Sequence, residues 1–124
     1  MKVIGFAAMM LAMVFARTAV AEPGALQGSW KGPWYIGMSS GLVAIDIDEE
    51  GSGRIALTNL EEFGSQPVPL AKQSFDGKVF AFSASGANGA VLTMSLQLGA
   101  GGRQLRGNGK HSGFGARMEL QRSD

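Results

Sequence analysis

From Gly28 onward, apolar and polar residues alternate with a period of two, and Gly-rich turns interrupt the alternation about every ten residues. This pattern predicts short, half-buried strands in an all-β sandwich or barrel. In the first strand, residues 28–36, Trp30, Gly32, Trp34 and Ile36 share one face; Ser29, Lys31, Pro33 and Tyr35 share the other. Pro33 has no amide proton for a ladder, so an edge, bulge or bend is expected there. The second strand, 42–48, turns Val43, Ile45 and Ile47 inward and Asp46 and Asp48 outward. The third, 54–60, buries Ile55 and Leu57; the fourth, 68–75, alternates least cleanly. Asp76-Gly77 is a hairpin signal leading into the fifth strand, 78–84, with Phe80 and Phe82 inward. The sixth, 90–98, buries Leu92, Met94, Leu96 and Leu98, and the seventh, 103–110, sets Leu105, Gly107 and Gly109 on one face. The eighth, 114–121, points Phe114, Ala116, Met118 and Leu120 inward.

Short connections favour sequential antiparallel pairing. The expected fold is therefore an all-β, eight-stranded antiparallel up-and-down meander, closed on itself so that no edge strand is left exposed. Such a barrel has room inside for side chains or one small ligand. About twenty inward apolar side chains predict a largely filled interior, with a cavity only near one mouth. A transmembrane barrel would turn these apolar faces to lipid. The strands are short for that, and a soluble filled barrel is the expectation.

Residues 1–21 read as an address. Lys2 supplies a positive start, residues 3–16 are almost unbroken apolar sequence, and Ala19-Val20-Ala21 is a small-residue cleavage site. Cleavage after Ala21 leaves a single β-barrel domain, 22–124, in the periplasm or outside the cell. Without cysteine the chain has no disulfide, thiolate nucleophile or Cys-ligated metal. A formal net charge of +1 gives no polyelectrolyte signature for nucleic acid.

Three features carry a family resemblance: Gly28-Ser29-Trp30 opens the first strand, the strands form a meander, and Leu120-Gln121-Arg122 closes the last. The chain resembles the lipocalin-like (calycin) barrels. It also resembles, more loosely, small bacterial exported barrels that occur alone or ahead of secreted α/β-hydrolase domains. The resemblance implies that Gly28, Trp30 and Arg122 form the barrel base, with Trp30 as its plug and Arg122 across the indole face. It further implies that Trp34 is a second internal aromatic for which Gly107 or Gly109 leaves room.

The candidate chemistry is sparse. Asp46, Asp48 and Glu50 fall at calcium-loop spacing before Gly51, but the twelfth position is Leu57 where a bidentate Glu is needed. An acidic solvated hairpin is the expected reading, with no metal. Asp46 and Asp48 as a glycosidase pair lack a cleft on an outward face. His111 is the single histidine and is expected in a turn; its neighbour Ser112 would point to the opposite side of a strand. Residues 99–102 read as a hairpin turn, since no helix follows to complete a phosphate loop. Residues 46–62 carry six acids and Arg54, while Arg103, Arg106, Lys110 and Arg117 make residues 103–122 basic. These read as solvated faces, or as a patch for an anionic partner.

No motif assembles a nucleophile, a base and an orienting group. The expected function is therefore a non-enzymatic binding module without a cofactor. It would take a small apolar ligand at the barrel mouth, through Trp34, Phe80, Phe82, Met94, Phe114 and Met118, or a protein partner on the rim. The alternative is an interaction or inhibitory accessory protein for a secreted enzyme.

Overall fold

The computed structural model describes residues 23–64 and 66–123. The predicted leader, residues 1–21, and the cleavage expected after Ala21 lie outside the described residues. The described chain forms one antiparallel sheet with nine strands: β1 Gly28–Ile36, β2 Ser39–Ile47, β3 Gly53–Leu57, β4 Val68–Pro69, β5 Ala71–Phe75, β6 Val79–Ser85, β7 Val91–Leu98, β8 Gln104–His111 and β9 Phe114–Ser123. Their lateral order is β4-β3-β2-β1-β9-β8-β7-β6-β5. First and last long strands are neighbours, in register from Ser29 opposite Ser123 to Ile36 opposite Ala116. The fold is an all-β, up-and-down, nearly closed barrel.

Nine strands replace the expected eight because segment 68–75 breaks at Leu70. Val68 and Pro69 pair with β3, whereas Ala71, Ser74 and Phe75 pair with β6. Lys72 adopts a left-handed φ of 52°, and the β5–β6 register shifts between Ala71 and Ser74. A bulge of this kind bends a strand and re-aims it, here from one neighbour to the other. At the seam the Leu70 amide donates to the Gly53 carbonyl at 2.9 Å. The Gln73 side chain continues the join. Its Oε1 accepts from the Gly53 amide at 3.0 Å and its Nε2 donates to the Gly51 carbonyl at 2.8 Å. A side-chain amide thus does the work of a peptide group where the ladder runs out.

Ladder rows set the layers of the core. One row runs Trp34, Met118, Gly107, Leu96, Phe80, and the next runs Ile36, Ala116, Gly109, Met94, Phe82. Beyond it lies the row His111, Leu92, Ala84. Inward glycines mark where strands press together. A Cβ on Gly32 would stand 1.9 Å from the Glu119 carbonyl oxygen, and one on Gly109 would stand 1.8 Å from that of Thr93. Gly107 and Gly109 therefore serve strand approach, and the glycine that houses Trp34 is Gly41. A Cβ there would meet the indole Nε1 at 2.7 Å.

The turns 48–52, 76–78 and 99–103 lie at one end, here the base. Residues 37–38, 58–64, 66–67, 86–90 and 112–113 lie at the other. Trp30 is fully buried at the base and donates from Nε1 to the Leu26 carbonyl at 2.9 Å. The Arg122 guanidinium sits 4.3 Å over the Trp30 ring. It also donates to three backbone carbonyls: Gly102 at 3.1 Å, Ala25 at 2.7 Å and Gln27. One side chain thereby ties the N-terminal segment, a base turn and the last strand together.

Candidate functional site

At the end opposite the base the strands alone do not fill the interior. Their inward side chains there mix small and large: Ala84 and Ala116 are buried and Gly109 has no side chain, while Ile36, Phe82, Leu92 and Met94 stand in the same rows. The space is filled from the connection 58–67. Its short 3-10 helix, Glu61–Phe63, drops the buried Phe63 ring over the end of the barrel. Phe63 meets the His111 ring at a centroid distance of 5.9 Å and an interplanar angle of 50°. The sequence explains this lid: one large apolar residue stands among Glu61, Glu62 and Gly64, and burial of its ring is the main apolar gain that segment can make.

The lid is rooted on one side. The Thr58 amide donates to the Leu42 carbonyl, and the Leu42 amide donates to Thr58 Oγ1, both at 2.9 Å. Trp34 Nε1 donates to the Thr58 carbonyl at 2.9 Å. Past Asn59, with φ 63°, the amides of Phe63 and Gly64 bond within the turn itself, to Leu60 and Glu61. The lid backbone rests on Gly86, where an added Cβ would come within 2.6 Å of the Glu62 carbonyl oxygen. Left-handed backbone recurs at Gly64, φ 59°.

His111 is the one buried polar residue of the core among the described residues, 5 % exposed. Its Nε2 is buried without a hydrogen-bond partner. This corrects the expectation of a turn residue. His111 ends β8, on the inward parity that Leu105, Gly107 and Gly109 already set. Turn duty falls to Ser112 and Gly113, both with positive φ.

Of the residues predicted to line a ligand site, Trp34, Phe80, Phe82, Met94 and Met118 are all buried in the barrel. The Phe80 and Phe82 rings meet at a centroid distance of 5.1 Å, tilted by 39°, while Trp34 stands opposite Met118 and Phe82 opposite Met94. Phe114 is a correction. It stands opposite buried His111 yet is 62 % exposed, because the β1–β9 ladder ends at Ile36 and Ala116 and leaves its other flank open. Its ring stands beside Gly37. Tyr35, Met38, Leu42 and Val91 are the other exposed large apolar residues among those described, and all lie in the half of the barrel nearer the lid. Sequence reasoning missed Phe63 and His111. The lone Phe in a polar connection and the continued period of two were the available signals.

The acidic candidates do not converge. Asp46 accepts from the Ser29 hydroxyl, whereas Asp48 Oδ1 caps its own turn through the Glu50 amide at 2.9 Å and the Ser52 amide at 3.0 Å. Among the described residues no group of three or more His, Asp or Glu is placed to hold a metal. Of the basic residues, Arg106 and Arg117 share a shallow outer groove of ≈ 290 Å³ with Gln97, Asn108 and Glu119. Arg117 lies 4.5 Å over the Tyr35 ring and 3.5 Å from Glu119. Arg103 belongs to the base turn, away from this groove.

A search of protein-family models and of curated proteins finds no match to the chain. Among solved structures, a redesigned β-barrel superposes with a TM-score of 0.60 over 87 % of this chain and 100 % of its own, at 14 % sequence identity. The similarity is one of fold: this chain is an antiparallel β-barrel.

Proposed function

We propose that the chain is an exported, non-enzymatic binding module of lipocalin-like type that takes a small apolar ligand beneath the lid. One observation carries this reading: that end of the core is capped by a buried ring, Phe63, supplied by a connection and not by the barrel wall. The two ends differ in how they are held. The base is tied through three carbonyls by Arg122, whereas the lid's helical turn bonds largely to itself. An apolar ligand entering there exchanges one buried ring for another, at little cost in apolar surface. The lipocalin-like assignment is supported by Arg122 lying across Trp30 behind a Gly-x-Trp opening, and export by the apolar leader with its Ala-x-Ala site. Native mass spectrometry of the mature chain with a panel of hydrophobes tests the function. A one-to-one adduct at micromolar concentration is expected, and its absence across the panel overturns the reading.

A second reading, a protein partner on the rim, is favoured by the exposed Tyr35, Met38, Leu42, Val91 and Phe114. Clustered exposed apolar residues mark interaction surfaces, and an accessory role beside a secreted enzyme would use this one. Phe114→Asp should then abolish recovery of a stoichiometric partner from the periplasm or medium. Equal recovery with both proteins removes this reading.

A further inference from the structure

We propose that His111 Nε2 is the polar anchor of an internal site for a small neutral hydroxyl compound, a phenol or short alcohol, whose apolar body takes the place the Phe63 ring fills here. The inference rests on the lid-end reading above and names the chemistry of its ligand. An imidazole nitrogen buried without a partner is costly to keep, yet Nε2 of His111 is in that state and the His111 ring meets the buried ring of the lid, Phe63. The layer below His111 is apolar throughout: Ile36, Ala116, Gly109, Met94 and Phe82. A ligand seated there would touch hydrocarbon on its body and a single polar atom at its head.

The head is a hydroxyl for two reasons. In a neutral imidazole one ring nitrogen donates and the other accepts, and a hydroxyl can answer either role. An ammonium head would bury its charge with no anionic partner, because His111 is the only polar residue in the described core. Charged residues of the surrounding elements lie elsewhere. Lys110, next in β8, is exposed, and Glu61 and Glu62 belong to the outer side of the lid, exposed and half-buried. A site built to hydrogen-bond a hydroxyl rejects the isostere that lacks it far more strongly than an apolar pocket separates two hydrocarbons.

Phenol and toluene are such a pair, and Phe63→Ala opens the place for either. In that variant phenol should bind at least about tenfold tighter than toluene, and adding His111→Phe should reduce the ratio to about unity. His111 is the only histidine, so its imidazole NMR signals report the contact without ambiguity. In the wild-type protein phenol should shift them at higher concentration, because the Phe63 ring must leave first; Phe63→Leu serves if the alanine variant does not fold. Equal affinity for the two probes, a preference that survives His111→Phe, or unmoved imidazole signals on saturation with phenol overturns the anchor while the lid-end site stands. Failure of both probes to bind either Phe63 variant overturns the anchor and the site together.

Discussion

Trp30 combines complete burial, an indole hydrogen bond to Leu26 and the Arg122 guanidinium on its face. Truncation removes all three and leaves a large void. Trp30→Ala should lower stability by roughly 3–5 kcal/mol in chemical denaturation, and an unchanged midpoint would dismiss its role at the base. Asp76 is a different case, wholly at the surface. Its Oδ1 accepts from the Val79 amide at 2.7 Å and the Lys78 amide at 2.9 Å. These bonds, Val79 first, hold its carboxyl below the ordinary value of 3.8. A carboxyl lowered in the folded state stabilises fully above its unfolded value, and the effect is lost as pH falls through the folded one. The Asp76 carboxyl signal should therefore titrate below that ordinary value in NMR. Asp76→Ala should weaken the β5–β6 hairpin at neutral pH and lose its effect in strong acid. Single-residue roles were unevenly legible in the sequence. Trp30 and Arg122 stood out through flanking motifs, but Phe114 shares its parity with buried Ala116 and is exposed because β1 stops short of it, a fact alternation does not encode.

Among the elements, β8 lies hardest against its neighbours. Gly107 and Gly109 let it approach β7 so closely that a Cβ would stand 2.1 Å and 1.8 Å from backbone carbonyl oxygens. Backbone offers no relief, so Gly109→Ala should cost roughly 1–3 kcal/mol or more. Gly115→Ala, with nothing within 4 Å, should change the melting temperature little; equal effects in the two variants would refute the close-approach account. Seven of the predicted strands match observed ones to within a few residues, because one buried face leaves alternation little freedom. The fourth did not survive intact. A strand that exchanges one neighbour for another keeps extended backbone throughout, and the left-handed Lys72 that turns it carries no glycine to announce the bend.

At the scale of the molecule, the ring has joints of two kinds. From β3 round through β1 and β9 to β6 the joints are backbone ladders of several residues. Between β4 and β5 the closure rests on Leu70, Gln73 and the short β4 pairing. Amides at Gly53, Leu70 and Ala71 should exchange with deuterium well before those of β8 and β9, since regions with few ladder bonds open first. Gln73→Leu should speed exchange at Gly53 most of all; uniform protection around the ring would contradict a weak joint. The closed barrel was legible because eight short meandering strands leave few other ways to hide two edges. The lid was not, since a polar connection gives no sign of which way its single ring will fall.

Ser29 stands opposite Ser123 across the β1–β9 ladder, so the start of the first strand and the end of the last are side by side. A circular permutant, linked there by a short spacer and cut between residues 64 and 67, would keep every ladder of the cylinder. It would carry Phe63 on a free tail, turning a tethered cover into a loose stopper and separating gating from architecture in a single polypeptide.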